Sequence, residues 1–215
     1  MITRFLIIVN ALAFVWEVIV GGPSVLSFAG GAGLQTVYER GALSPASVLQ
    51  YHEYWRIVTS AFLHGGLMHI FVNMMSLWFL GRFIEYAAGS TRMFMIYAVS
   101  LVASGLGVIY LSGPDTATLG ASGAIFGLFG ALFAIGLKLG RPGMQLVKDN
   151  LGILILNLVI TFAVPGISWQ AHMSGLLAGF ILTLAIYSPP KRLAPAVVDS
   201  ATGEDLETEY QAPQQ

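Results

Sequence analysis

Cysteine is absent from the 215 residues, which excludes disulfides, thiolate nucleophiles and thiolate metal sites. Charge is scarce as well: Asp, Glu, Lys and Arg make up 10% of the chain, against roughly a quarter in a soluble domain. The formal balance of −1 gives no general pull towards nucleic acid. What fills the chain instead is apolar: 56% of residues are hydrophobic and the mean hydropathy is +0.76. That composition defines an integral membrane protein.

Six apolar segments stand out, at 4–21, 57–80, 93–112, 122–139, 151–164 and 170–187. Each is near the roughly 20 residues a spanning helix needs, the fourth and fifth being short. Unpaired backbone is so costly in lipid that helices are the expected form, making the fold all-α. With the N-terminus inside, Arg4, Arg82, Arg92, Lys138, Arg141, Lys148, Lys191 and Arg192 fall on the cytoplasmic side, and Arg40 and Arg56 on the other. The asymmetry predicts a multi-pass protein of six spans with both termini cytoplasmic. Arg4, the first apolar run and Ser27-Phe28-Ala29 loosely fit a cleaved signal peptide, but Asn10, Trp16 and Glu17 inside the run argue for a retained span. The outer loop 22–54 is too long for a plain connector and is expected to be structured. Its Tyr38, Tyr51 and Tyr54, with Trp55 beyond, suit a segment resting at the membrane interface, and a flexible exposed loop is an equal alternative. After Pro189-Pro190 the composition turns acidic, so residues 1–190 read as one membrane domain and 191–215 as a disordered cytoplasmic tail.

Polar groups inside spans are expensive and point to function. The second segment holds His64, His69 and Asn73; His69 and Asn73, four apart, share a helix face and both can donate hydrogen bonds. The sixth holds His172. The fourth opens on Gly120-Ala121-Ser122-Gly123, a turn that sets a serine at a helix start, where unpaired N–H groups can meet an oxyanion. If Lys138 and Lys191 mark the inner boundary, Ser122 and His172 lie about 24 and 28 Å above it at helical rise. His69, measured from Arg82, lies at about 20 Å. These depths let serine, imidazoles and amide converge in one pocket open to the outer side. Gly123, Gly127 and Ala131, and likewise Ala171, Gly175 and Gly179, recur every fourth residue, a spacing that lets two helix backbones touch.

Such parts suffice for acyl transfer. Ser122 is the candidate nucleophile and His172 its general base, then acid. No carboxylate near the sixth segment is placed to orient His172, so a dyad is expected rather than a triad. Asn73, His69 and the Ser122 backbone N–H would receive the oxyanion. His64 is expected to brace the outer loop, and Glu85 with Arg82 to anchor the cytoplasmic end of the second span. A metal held by His64, His69 and His172 is not expected, since no His-Glu-x-x-His run or second acidic ligand accompanies them. No cofactor is implied. A small transporter is the third possibility, but the polar residues cluster towards one face with no paired charges through the bilayer.

Taken together these residues resemble the rhomboid family of intramembrane serine proteases. The markers are Trp55-Arg56, His69-x-x-x-Asn73, Gly81-x-x-x-Glu85-x-x-x-Gly89, Gly120-x-Ser122-Gly123 and Ala171-His172-x-x-Gly175-x-x-x-Gly179. The resemblance implies a six-helix rhomboid-like bundle, a Ser122–His172 dyad and an oxyanion site of Asn73, His69 and the Ser122 backbone. It implies transmembrane protein substrates taken from the lipid bilayer and cut near their outer end, with the fifth helix and outer loop regulating entry. Some members carry tyrosine one turn after the nucleophile, stacked on the histidine; Phe126 here keeps the ring and loses the hydroxyl. A non-catalytic relative that binds and escorts membrane proteins is the alternative, but such relatives typically lack the serine or histidine that this chain retains.

Overall fold

The computed structural model describes residues 1–28, 31–114 and 116–189. Residues 29, 30, 115 and 190–215 lie outside the described part. Among them are Ala29 of the signal-like triplet, Lys191 and Arg192 of the charge tally, and the acidic tail. Ten α-helices follow in chain order among the described residues: α1 Ile2–Gly21, α2 Leu34–Gly41, α3 Pro45–Leu49, α4 Arg56–Thr59, α5 Leu67–Ser76, α6 Arg82–Ala88, α7 Ser90–Leu111, α8 Ser122–Leu139, α9 Arg141–Ala163 and α10 Trp169–Ile186. A π-helical turn, Leu77–Gly81, joins α5 to α6, and that continuous rod is the second of six helices, among the described residues, long and apolar enough to cross a membrane. The chain is thus an all-α, multi-pass membrane bundle.

Two spans differ from their expected limits. The second begins at Leu67, ten residues after the apolar run starts at 57. Hydropathy does not register the break: Gly66 has φ of 111°, a backbone state that glycine adopts at no steric cost. The residues before it form α4 and a 3-10 turn, Ser60–Phe62. The fifth span begins at Arg141 rather than 151, with Pro142 in its first turn, where a missing N–H costs nothing. Its first three turns carry Arg141, Lys148 and Asp149, so the apolar window opens well after the helix does.

Helix α8 is buried almost throughout, from Gly123 to Gly136, as expected of a helix apolar on every side. It packs against α10 through glycine. A Cβ on Gly175 would land on the Gly123 carbonyl oxygen, and one on Gly179 on that of Gly127. On the other flank, Cβ atoms at Gly123 and Gly127 would strike the hydroxyls of Ser104 and Ser100 of α7. The small-residue stripes therefore bring α8 into backbone contact with α10. By contrast α9 buries only Gly143, Val147, Leu154 and Thr161 and shows most of its surface to the surroundings.

The outer loop is structured, as expected. Helices α2 and α3 pack Val37 and Val48 inward, and Leu43 pairs with Thr118 through two backbone hydrogen bonds of 2.8 Å each. Arg56 ties the segment down, donating to the carbonyls of Ala42 and Glu39 at 2.9 and 3.0 Å and pairing with Glu53 at 2.6 Å. At the opposite end, Glu85 and Arg82 take separate partners. The Glu85 carboxylate accepts from the Ile2 and Thr3 N–H groups, the Thr3 hydroxyl and the Ser90 hydroxyl. A carboxylate at the start of α1 satisfies orphan N–H groups and meets the positive end of the helix dipole. Arg82 lies over the Trp78 ring, 4.7 Å from its centroid.

Candidate active site

Ser122 is the first residue of α8, and the turn that delivers it needs Gly120. That glycine has φ of 117°, and a Cβ there would sit 2.8 Å from the Cε1 and Nε2 atoms of His69. The Gly120 N–H is anchored on the Ser60 carbonyl at 2.9 Å. Ala121 lies between, fully buried, so the serine emerges from a fixed turn. Because it opens a helix, its own N–H has no intrahelical partner.

The glycine contact between α8 and α10 then sets the distance to His172. Ser122 Oγ and His172 Nε2 are 2.8 Å apart. Phe126, one turn on, lies face to face with the imidazole, centroids 4.1 Å apart and planes 10° off parallel. Of the residues expected to support the site, Gly120 forms the turn, Gly123, Gly175 and Gly179 form the helix contact, and Phe126 forms the stack.

His69 and Asn73 of α5 line the same cavity as Ser122 and His172. The Gly65 N–H donates to His69 Nδ1 at 3.0 Å, which leaves the ring proton on Nε2, the nitrogen beside Gly120. One Asn73 amide hydrogen is spent on the His69 carbonyl at 2.9 Å; the second remains for an acceptor in the cavity. The cavity measures about 650 Å³ and extends to Tyr38 of the outer loop and to Ile167 between α9 and α10. It lies at the end of the bundle marked by the Leu43–Thr118 pairing, away from Glu85. Burial raises the Tyr38 phenol above its ordinary range, so it stays a neutral donor at the cavity wall.

His64 stands outside this group, fully buried behind α1. Both oxygens of Glu17 accept from its backbone N–H, at 2.9 and 3.0 Å, and its Nδ1 faces the Phe62 carbonyl at 3.2 Å. Burial, with His69 nearby adding to it, holds the imidazole down at about 3. It braces the turn into α5.

One contact had no counterpart among the sequence expectations. Thr161 of α9, 3% exposed, places its hydroxyl 2.8 Å from His172 Nδ1 and donates to the Asn157 carbonyl at 2.7 Å. The available signal was Asn157 and Thr161 four apart in an apolar helix, two polar residues on one face. Spacing alone does not tell which neighbouring span they meet.

A six-helix membrane bundle with a serine–imidazole pair at one end of its central helices defines a narrow class of protein. Comparison with known sequences agrees: the Rhomboid domain profile matches residues 51–189. The chain belongs to the Rhomboid family. It is 33% identical over 175 residues to rhomboid protease GluP of Bacillus subtilis, a stretch covering 79% of this chain and 34% of that protein. It is 31% identical over 165 residues to RHOMBOID-like protein 5 of Arabidopsis thaliana, covering 75% and 53% of the two. Against rhomboid protease GlpG of Yersinia pestis it is 33% identical over 141 residues, covering 64% and 50%. The match thus spans between a third and about a half of these relatives' lengths.

Proposed function

We propose that the chain is an intramembrane serine endopeptidase, with residues 1–190 as its catalytic domain and transmembrane proteins as substrates. The observation that carries this reading is the 2.8 Å approach of Ser122 Oγ to His172 Nε2 inside a cavity lined by further donors. The names of the relatives, rhomboid proteases among them, support it.

In the reaction, Ser122 Oγ attacks the scissile carbonyl carbon as its proton passes to His172 Nε2. The carbonyl oxygen becomes an oxyanion held by the Ser122 N–H, the His69 Nε2–H and the free Asn73 Nδ2–H. The C–N bond breaks when His172 returns the proton to the leaving amine, giving an acyl ester on Ser122. Water, deprotonated by the same Nε2, attacks the ester carbon; the C–Oγ bond then breaks as His172 hands that proton to Ser122 Oγ, freeing the acid and the serine. The Phe126 face keeps the ring in plane for each transfer. The protein works in the plasma membrane, cavity outward, and admits substrate from the bilayer.

The test is labelling of the purified protein with a fluorophosphonate, alongside cleavage of a transmembrane reporter. Wild type labels and cleaves; Ser122→Ala and His172→Ala lose both, with cleavage falling by about 10³-fold or more. Wild type that neither labels nor cleaves, or Ser122→Ala that cleaves as wild type does, defeats the proposal. Binding of the reporter without cleavage would move the chain to the escort class.

A further inference from the structure

We propose that Thr161 is the positioning residue of His172, accepting its Nδ1–H and thereby fixing the tautomer and ring orientation that the serine requires. Its consequence for catalysis rests on the protease reading above.

The assignment follows from counting hydrogens. A threonine hydroxyl carries one hydrogen. The Thr161 hydroxyl touches two groups, the Asn157 carbonyl at 2.7 Å and His172 Nδ1 at 2.8 Å. A carbonyl can only accept, so the hydroxyl hydrogen goes there, in the back-bond to the i−4 residue that threonine often makes in helices. The remaining contact is then satisfied only if Nδ1 carries a hydrogen and donates it to Oγ1. A neutral imidazole has one N–H, so Nε2 is left with its lone pair towards Ser122 Oγ, 2.8 Å away. The opposite tautomer leaves the Asn157–Thr161 pair without its hydrogen and points an N–H at the serine, where a base is needed. All three short contacts are met together by one protonation state, and it is the one able to take the serine's proton.

Burial makes the choice binding. Thr161 is one of four buried residues on a helix that otherwise faces outward, and His172 is itself buried. With both partners buried and 2.8 Å apart, the hydroxyl is the group placed to take the Nδ1 hydrogen and so decides which nitrogen holds the proton. When His172 takes up the serine's proton, the same Oγ1 lone pair keeps the imidazolium from turning. The role usually given to a carboxylate is filled here by a neutral oxygen, supplied by a different span from those bearing serine and histidine.

The experiment uses the full chain in bilayers with 15N-labelled histidine. Solid-state NMR reads the tautomer of His172, whose signals are identified by their loss in His172→Gln. Reporter cleavage is measured in parallel for wild type, Thr161→Val and Thr161→Ser. Wild type is expected to show Nδ1 protonated and Nε2 bare. Thr161→Val, similar in shape, shifts the population towards protonated Nε2 and lowers kcat about 10–100-fold, by analogy with the scale seen when the hydrogen-bond partners of metal-bound histidines are removed, with KM within about twofold. Thr161→Ser restores both tautomer and rate. A wild-type His172 protonated on Nε2 overturns the assignment without need of any variant. So does Thr161→Val with an unchanged tautomer or an unchanged kcat. The spectrum is read whether or not the protein cleaves, so failure of the protease reading (no label on wild type) and failure of this assignment are separate results.

Discussion

On the proposed mechanism a single hydrogen at Asn73 carries a measurable share of the chemistry. Its amide spends one hydrogen on its own helix, so the other is the group available to a developing oxyanion. Asn73→Ala is therefore expected to fold and bind as before but to cleave about a hundredfold more slowly, the scale for losing one such donor. An unchanged kcat would remove Asn73 from the oxyanion site. His64 gives the stability counterpart. Its folded value of about 3 lies below the ordinary 6.5 of an unfolded histidine, so the folded protein favours the neutral ring. This contribution to stability is complete above about pH 6.5 and is lost as pH falls towards 3, because the unfolded chain binds the proton first. Unfolding midpoints in detergent from pH 7.5 to 4.5 should fall less steeply in His64→Gln than in wild type, by up to one proton. Equal slopes would assign the acid sensitivity to other groups, with Glu17 and His69 the nearest.

Helices answer to substitution according to what their faces meet. At Gly175 and Gly179 of α10 the neighbour is the backbone of α8, which cannot rotate away as a side chain can. Gly175→Ala or Gly179→Ala should cost about 1–3 kcal/mol from overpacking and widen the gap between Ser122 and His172, lowering kcat in whatever protein folds. Ile155→Ala on α9, where the side chain is 50% exposed, should stay within about 0.5 kcal/mol. Comparable losses at the two places would contradict a backbone contact confined to α8 and α10. This contact was legible in the sequence because a fourfold repeat of small residues has one common use between apolar helices. The limits of the second and fifth spans were not. Apolarity continues through Ile57–Phe62 although the helix must restart after Gly66, and it stops short of Arg141 although the helix does not. The role of Thr161 is illegible in the sequence for a third reason. Threonine is ordinary in an apolar helix, and its partner is chosen by how α9 lies beside α10, which no local pattern encodes.

Across the whole bundle, two sets of ties mark the ends. Glu85 joins the starts of α1 and α7 to α6, and the Lys138 ammonium donates to the Tyr187 carbonyl, joining the ends of α8 and α10. Arg4, Arg92 and Arg141 begin α1, α7 and α9 at that same end. The other end holds Arg40, Arg56, the Leu43–Thr118 pairing and the cavity. The excess of lysine and arginine on loops near span ends governs insertion, so the crowded end should face the cytoplasm and the cavity the other side. A chain without cysteine lets this be measured directly, because a single introduced thiol gives the whole signal. Tyr51→Cys, at an exposed site beside α3, and Ser188→Cys, just past α10, lie at opposite ends. In right-side-out vesicles a membrane-impermeant maleimide should label Tyr51→Cys at once and Ser188→Cys only after permeabilisation. The reverse pattern would turn the cavity mouth to the cytoplasm and require substrates to be cut on that side. It would also mean that the charge on these short loops had been outweighed during insertion.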